Sequence, residues 1–182
     1  MALELTTSYL KDSLAVSRHY KNLAERAMAQ LTDEQLLVAL DEESNSIAVT
    51  VKHMAGSMRS RFTDFLTTDG EKPDRRRDQE FVDPPATREA LMALWEEGWS
   101  CVFAAFKALG EEDLAKTVKI RGEAHSVMQA INRQVAHSSY HCGQIVLLAK
   151  HLNCTEWKPL SVPRGQSEEF NRRVRAGEAS QR

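Results

Sequence analysis

His137 and His141 stand four residues apart in the run HSSYH. On an α-helix that spacing returns two side chains to nearly the same direction, ~40° apart and one turn along. Two imidazoles so placed can grip one metal ion. A third from a neighbouring helix would leave coordination positions open, as a catalytic metal needs and a structural one does not. The chain has six histidines, so spacing alone leaves two readings standing: a metal pair, or two helical histidines with separate polar partners. The stronger zinc motif HExxH is absent, because Ser138, Ser139 and Tyr140 fill the interval and none is a carboxylate base.

The elements that must position these residues read as helical throughout. A first helix is predicted from about Leu3 to Leu31, with Tyr9, Leu10, Val16, Tyr20, Ala24, Ala27, Met28 and Leu31 on one broad face. His19 falls opposite that face and reads as solvated. Thr32 opens a short capping-box turn, TDEQ. A second helix runs from near Ser46 to about Leu66 on an apolar stripe of Ile47, Val51, Met54, Met58, Phe62 and Phe65. His53 lies off that stripe, on a second one with Ser46, Val49, Gly56, Ser57 and Ser60. That stripe reads as a small solvated face, or as the wall of a pocket; from this helix alone the solvated face is favoured.

Residues 67–86 form a polar, proline-containing connection, long against the about 2–8 residues usual between helices. A link of that length lets the next helix run parallel to its predecessor. Its DRRRD run reads as a solvated loop. The third helix follows Thr87 as N-cap and stops at Gly110, with Leu91, Trp95, Trp99, Val102, Phe106 and Leu109 as core. Residues 111–125 contain an extended piece, TVKIR. Ser126 and Gln129 then cap a fourth helix that reaches about Leu152, its stripe being Val127, Met128, Ile131, Val135, Cys142, Ile145, Val146 and Ala149. His137 and His141 flank that stripe, as His53 flanks its own. This geometry suits two helices facing a shared groove beside the core.

At 182 residues and a net charge of −2 with acids and bases interspersed, the chain reads as a single domain, 1–182, with 154–182 as a C-terminal tail packed on it. The charge gives no case for nucleic acid or a membrane surface. No apolar run approaches the ~20 residues of a membrane span, and MALELTTSYLKDS lacks a signal-peptide pattern. Cys101, Cys142 and Cys154 lack CxxC spacing, so a reduced, cytoplasmic protein is expected.

Other residues carry weaker chemistry. Gln134 and Gln144 lie near the histidine face of the fourth helix and could orient a ligand. Ser13 and Ser17 sit one turn apart in the first helix, either lining a pocket or bonding to backbone. Cys142 points ~100° away from His141 into the apolar stripe, which favours an inert buried thiol over a nucleophile. In the tail, Pro163 and Gly165 shape a turn and Phe170 pins it; alternatively the tail is a flap, with Arg164 binding an anionic substrate or cofactor. No general base is evident.

SIAVTVKHMAGSMRSRF, HSSYHCGQIVLLAKHL and WKPLSVPRGQSEEFN together resemble the DinB/YfiT-like superfamily of metalloenzymes, and an uncharacterised bacterial family within it. The resemblance covers nearly the whole chain. It implies an all-α four-helix bundle with a long crossover between the second and third helices, in a homodimer. It implies a divalent metal, zinc or nickel, held by His53, His137 and His141. His125 and His151 have no matching positions. Relatives include transferases that use low-molecular-weight thiols such as mycothiol or bacillithiol, so the expected activity is thiol-dependent S-transfer on a small molecule. Metal-dependent hydrolysis, and metal binding without turnover, are the alternatives. Three neutral imidazoles leave a +2 ion uncompensated, which favours an anion such as hydroxide, carboxylate or thiolate in the open positions.

Overall fold

A computed structural model describes residues 7–180 and is mostly helical. Four long helices carry the core: α1 (Tyr9–Met28), α3 (Ile47–Phe62), α4 (Arg88–Ala108) and α5 (Val127–Leu152). Two short ones, α2 (Asp33–Leu36) and α6 (Ser167–Arg175), accompany them. Each long helix begins where a side chain can take an orphan backbone N–H. Ser8, Ser46, Thr87 and Ser126 accept from Lys11, Val49, Ala90 and Gln129 respectively. The boxes at Thr32/Gln35 and Ser126/Gln129 are both closed.

Cross-helix contacts give the directions. Tyr9 meets Asn132, Tyr20 meets Cys142 and Gln30 meets Asn153, so α1 and α5 run parallel. Lys21 pairs with Glu96 and Arg88 reaches the Met28 carbonyl, so α1 and α4 run antiparallel. Gly98 lies on Ala55 and Phe106 on Phe62, so α3 and α4 run parallel, as the long link allows. The closeness of the α3–α4 approach depends on Gly98, where a Cβ would collide with the Ala55 backbone. Trp95 and Trp99 are fully buried between the helices, and the Trp95 indole donates to Glu25 (3.0 Å).

Several boundaries differ from the periodicity. The first helix starts at Tyr9, its predicted opening at Leu3 lying outside the described residues, and it closes at Met28, three residues before Leu31. The second ends at Phe62 rather than Leu66, because Thr63 is extended and Asp64 takes φ 48°. Met128 is 41 % exposed, off the core side of α5. TVKI is a strand, β1 (Thr117–Ile120), and it pairs with a second strand, β2 (Glu123–Ser126), that no periodicity marks. His125 is therefore a strand residue, opposite Val118. The hairpin turn has φ 57° at Arg121 and φ 79° at Gly122, the paired positive values of a tight primed turn. Asp69 holds it, accepting from both amides (2.8 and 2.7 Å), which ties the α3–α4 connection to the hairpin. In the tail α6 forms but buries no side chain.

Candidate metal centre

The small-residue stripe of α3 is not a solvated face. Ser46, His53, Ser57 and Ser60 are all buried. Residues 70–81 of the connection cover it, and their polar sequence misdirects the reading: Ser60 accepts from the Lys72 amide and donates to the Gly70 carbonyl (3.0 and 2.9 Å). At the end of this segment a 3-10 turn, Arg77–Phe81, brings Phe81 flat onto the His53 ring, centroids 4.7 Å apart. It also brings the Glu80 carboxylate to His53 Nδ1 at 2.9 Å. Gly56 makes room for Glu80, since a Cβ there would overlap the carboxylate. Gly56→Ala is expected to push Glu80 off His53 and destabilise the fold by about 1–3 kcal/mol, the usual range for overpacking. Thermal denaturation with and without zinc checks this, and an unchanged melting curve would show that Glu80 shifts freely.

Across from α3, the helical spacing of α5 presents His137 and His141 together. The three rings meet edge to face, with centroids 4.5–5.3 Å apart. Their Nε2 atoms converge: His137 Nε2 lies 3.3 Å from His53 Nε2 and 3.1 Å from His141 Nε2. One ligand atom from each residue falls within 4.8 Å of the others, so this group could hold a metal ion. For zinc–nitrogen bonds of ~2.0–2.1 Å, tetrahedral geometry separates ligand nitrogens by ~3.3–3.4 Å. The two short separations therefore match the edges of a coordination polyhedron. Lone pairs brought this close repel unless something positive lies between them, either a proton on His137 Nε2 or a cation.

The outer nitrogens fix which lone pairs point inward. Glu80 can only accept, so His53 donates to it from Nδ1 and turns Nε2 toward the centre; Gln144 Oε1 does the same for His141 Nδ1 at 2.7 Å. His137 Nδ1 is buried with no hydrogen-bond partner. Burial pushes the His137 pKa down to about 3, helped by His141, His53, Arg61 and Arg133. Burial lowers His141 as well, against the Gln144 hydrogen bond. Both rings are thus neutral near pH 7, the form that binds a metal. Burial acts to raise the Glu80 pKa, but hydrogen bonds from His53 and Arg75 outweigh it and keep the carboxyl below its ordinary range. Arg75 grips Glu80 with both Nε (2.8 Å) and Nη2 (2.9 Å), and its Nη1 donates to Glu71.

A carboxylate, Glu80, stands one hydrogen bond behind the histidines, outside the group that could hold the ion. Sequence reading missed it inside a polar loop. The available signal was the apolar Phe81 beside it and a helix stripe of small residues needing cover. Gln144 orients His141, while Gln134 is buried against Ser138 (2.9 Å). Cys142 is buried and its thiol is pushed up to about 12 by burial, which suits an inert role. Ser13 and Ser17 are buried in α1. Arg164 is exposed and lines a separate groove with His19, Lys150 and Trp157; the fold does not bring it into the histidine group. No described helix is long and apolar enough to cross a membrane.

No curated protein and no solved structure matches this chain. One family, described as a protein of unknown function (DUF1572), matches residues 4–166. With the histidine-bearing helices and the segment that covers them all inside that match, the chain belongs to the DUF1572 family.

Proposed function

We propose that this protein is a divalent-metal-dependent enzyme whose metal is held by His53, His137 and His141, and that it transfers a low-molecular-weight thiol onto a small electrophile. The observation that carries the reading is the convergence of three Nε2 atoms, with the His53 and His141 rings oriented from behind. A fold of the DinB-like four-helix type, with zinc or nickel as the metal and a homodimeric assembly, belongs to the same reading. A bound divalent cation supplies positive charge that favours the thiolate of a bound thiol at neutral pH.

The chain's own groups do the rest. Glu80 keeps the proton of His53 on Nδ1, and Gln144 does so for His141. Phe81 packs on one face of His53 and excludes water there. Tyr140, 62 % exposed with its ring 4.7 Å from His141, marks the side open to a substrate. In the transfer, a carbon–sulfur bond forms, the electrophile's leaving group departs with its electron pair, and the thiol proton passes to solvent.

Elemental analysis of untagged protein tests the metal, with about one equivalent per chain expected. Consumption of an electrophile such as 1-chloro-2,4-dinitrobenzene with and without a thiol tests the activity. Turnover that needs the thiol supports transfer. Ester or amide cleavage without thiol would replace transfer by hydrolysis.

A further inference from the structure

We propose that Arg61 and Arg133 form an anion subsite beside the histidine centre, which selects a substrate or thiol carrying a carboxylate or phosphate about one helical turn from its reacting atom. The inference rests on the reading above only for where the reacting atom sits.

Two helical stripes carry it. On α3, His53, Ser57 and Arg61 follow one another at intervals of four; on α5, His141, His137 and Arg133 do the same. Residues so spaced share a face, ~6 Å apart along the axis. The C-terminal end of α3 packs by way of Gly70 and Lys119 on the hairpin that leads into the start of α5, so the two helices are antiparallel. His53 lies against both His137 and His141. Stepping from that level toward the end of α3 and the start of α5 leads to Arg61 on one side and Arg133 on the other.

These guanidiniums are unmatched. Arg61 is half-buried and donates from Nη1 to Ser57 Oγ, while its Nε is buried with no hydrogen-bond partner. Among the described residues, neither Arg61 nor Arg133 has a carboxylate within ion-pair range. Glu71, the acid nearest in charge to Arg61, already binds Arg75 and Arg121. Glu71 and Glu80 are thus taken up by Arg75 and Arg121, and neither is left to answer Arg61. A partly desolvated guanidinium without a counter-charge is costly, and a planar fork is suited to carboxylate and phosphate. The charges of Arg61 and Arg133 reach both His137 and one another. A ligand with a negative end offsets that repulsion, where a neutral one leaves it in place.

Calorimetric titration of zinc-loaded protein with 4-mercaptobutyrate and with 4-mercapto-1-butanol, thiols of equal length that differ in charge, tests the subsite. The carboxylate is expected to bind at least about tenfold tighter. The exposed Arg133→Gln, and separately Arg61→Lys, should erase most of that preference and leave the alcohol's affinity unchanged. Equal binding of both thiols, or a preference indifferent to both variants, overturns the subsite while leaving thiol transfer standing. If neither thiol binds, inorganic phosphate is titrated into the metal-free protein at pH 8. Phosphate binding weakened by Arg133→Gln then supports the subsite and counts against the thiol; absence of phosphate binding overturns the subsite.

Discussion

Glu80→Ala is expected to destabilise the protein by about 3–5 kcal/mol, and to weaken metal binding about 10–100-fold in whatever fraction remains folded. Two consequences of one deletion produce this. Arg75, whose side chain is 4 % exposed, would lose both hydrogen bonds of its fork and keep a buried positive charge answered only by Glu71. His53 would lose the acceptor that keeps its proton on Nδ1, so the ring could present an N–H to the centre in place of a lone pair. Glu80→Gln separates the two. The amide oxygen can still accept from His53, while the charge that holds Arg75 is gone. Chemical denaturation should therefore show both variants weakened, and competition for zinc against a chelator should show the alanine variant worse than the glutamine. Wild-type stability and zinc affinity in Glu80→Ala would reduce the hydrogen bonds on Glu80 to incidental surface contacts.

Helix content was legible because burial follows a 3.6-residue period. Ile47, Val51, Met54, Met58 and Phe62 repeat along α3 and all are buried. The histidine pair on α5 was legible for the same reason, since spacing on one helix decides whether two side chains meet. The third histidine was not readable from spacing: His53 is 84 residues from His137, and only a resemblance linked them. What periodicity misjudged was the stripe around it. Gly56, Ser57 and Ser60 look solvated because small polar residues fit water as well as they fit a close-packed neighbour. The neighbour here is a segment with no period at all, residues 70–81, whose value lies in particular bonds such as Lys72 to Ser60 and Arg75 to Glu80. The strand β2 escaped notice because EAHS has neither alternation nor β-branched residues, and its extended form is set by pairing with β1 and by the turn that Asp69 pins.

His137→Ala should abolish stoichiometric metal, and the metal-free wild type should lose stability as the pH falls below about 6.5, where an ordinary histidine takes up a proton. Both follow from the ring's place between the other two. It is the one residue within 3.3 Å of both neighbours' Nε2, so its removal takes away the two nitrogen–nitrogen edges that match a coordination site. The pH dependence has a definite sign. In the unfolded chain His137 protonates near pH 6.5; in the fold burial, with the charges of His141, His53, Arg61 and Arg133, lowers its pKa to about 3. Between those values the unfolded state binds the extra proton, so acid favours unfolding by up to ~1.4 kcal/mol per pH unit. His141, also lowered by burial, adds in the same direction. Above pH 6.5 neither state holds the proton on His137 and its contribution to the slope vanishes. Denaturation of metal-free protein at pH 7.5, 6.5 and 5.5 measures the slope, and His137→Gln should flatten it. A variant as steep as wild type would place the acid sensitivity elsewhere in the protein. Added zinc should stabilise the wild type at fixed pH but not His137→Ala, and that stabilisation should shrink toward acid, where protons and the cation compete for the same nitrogens.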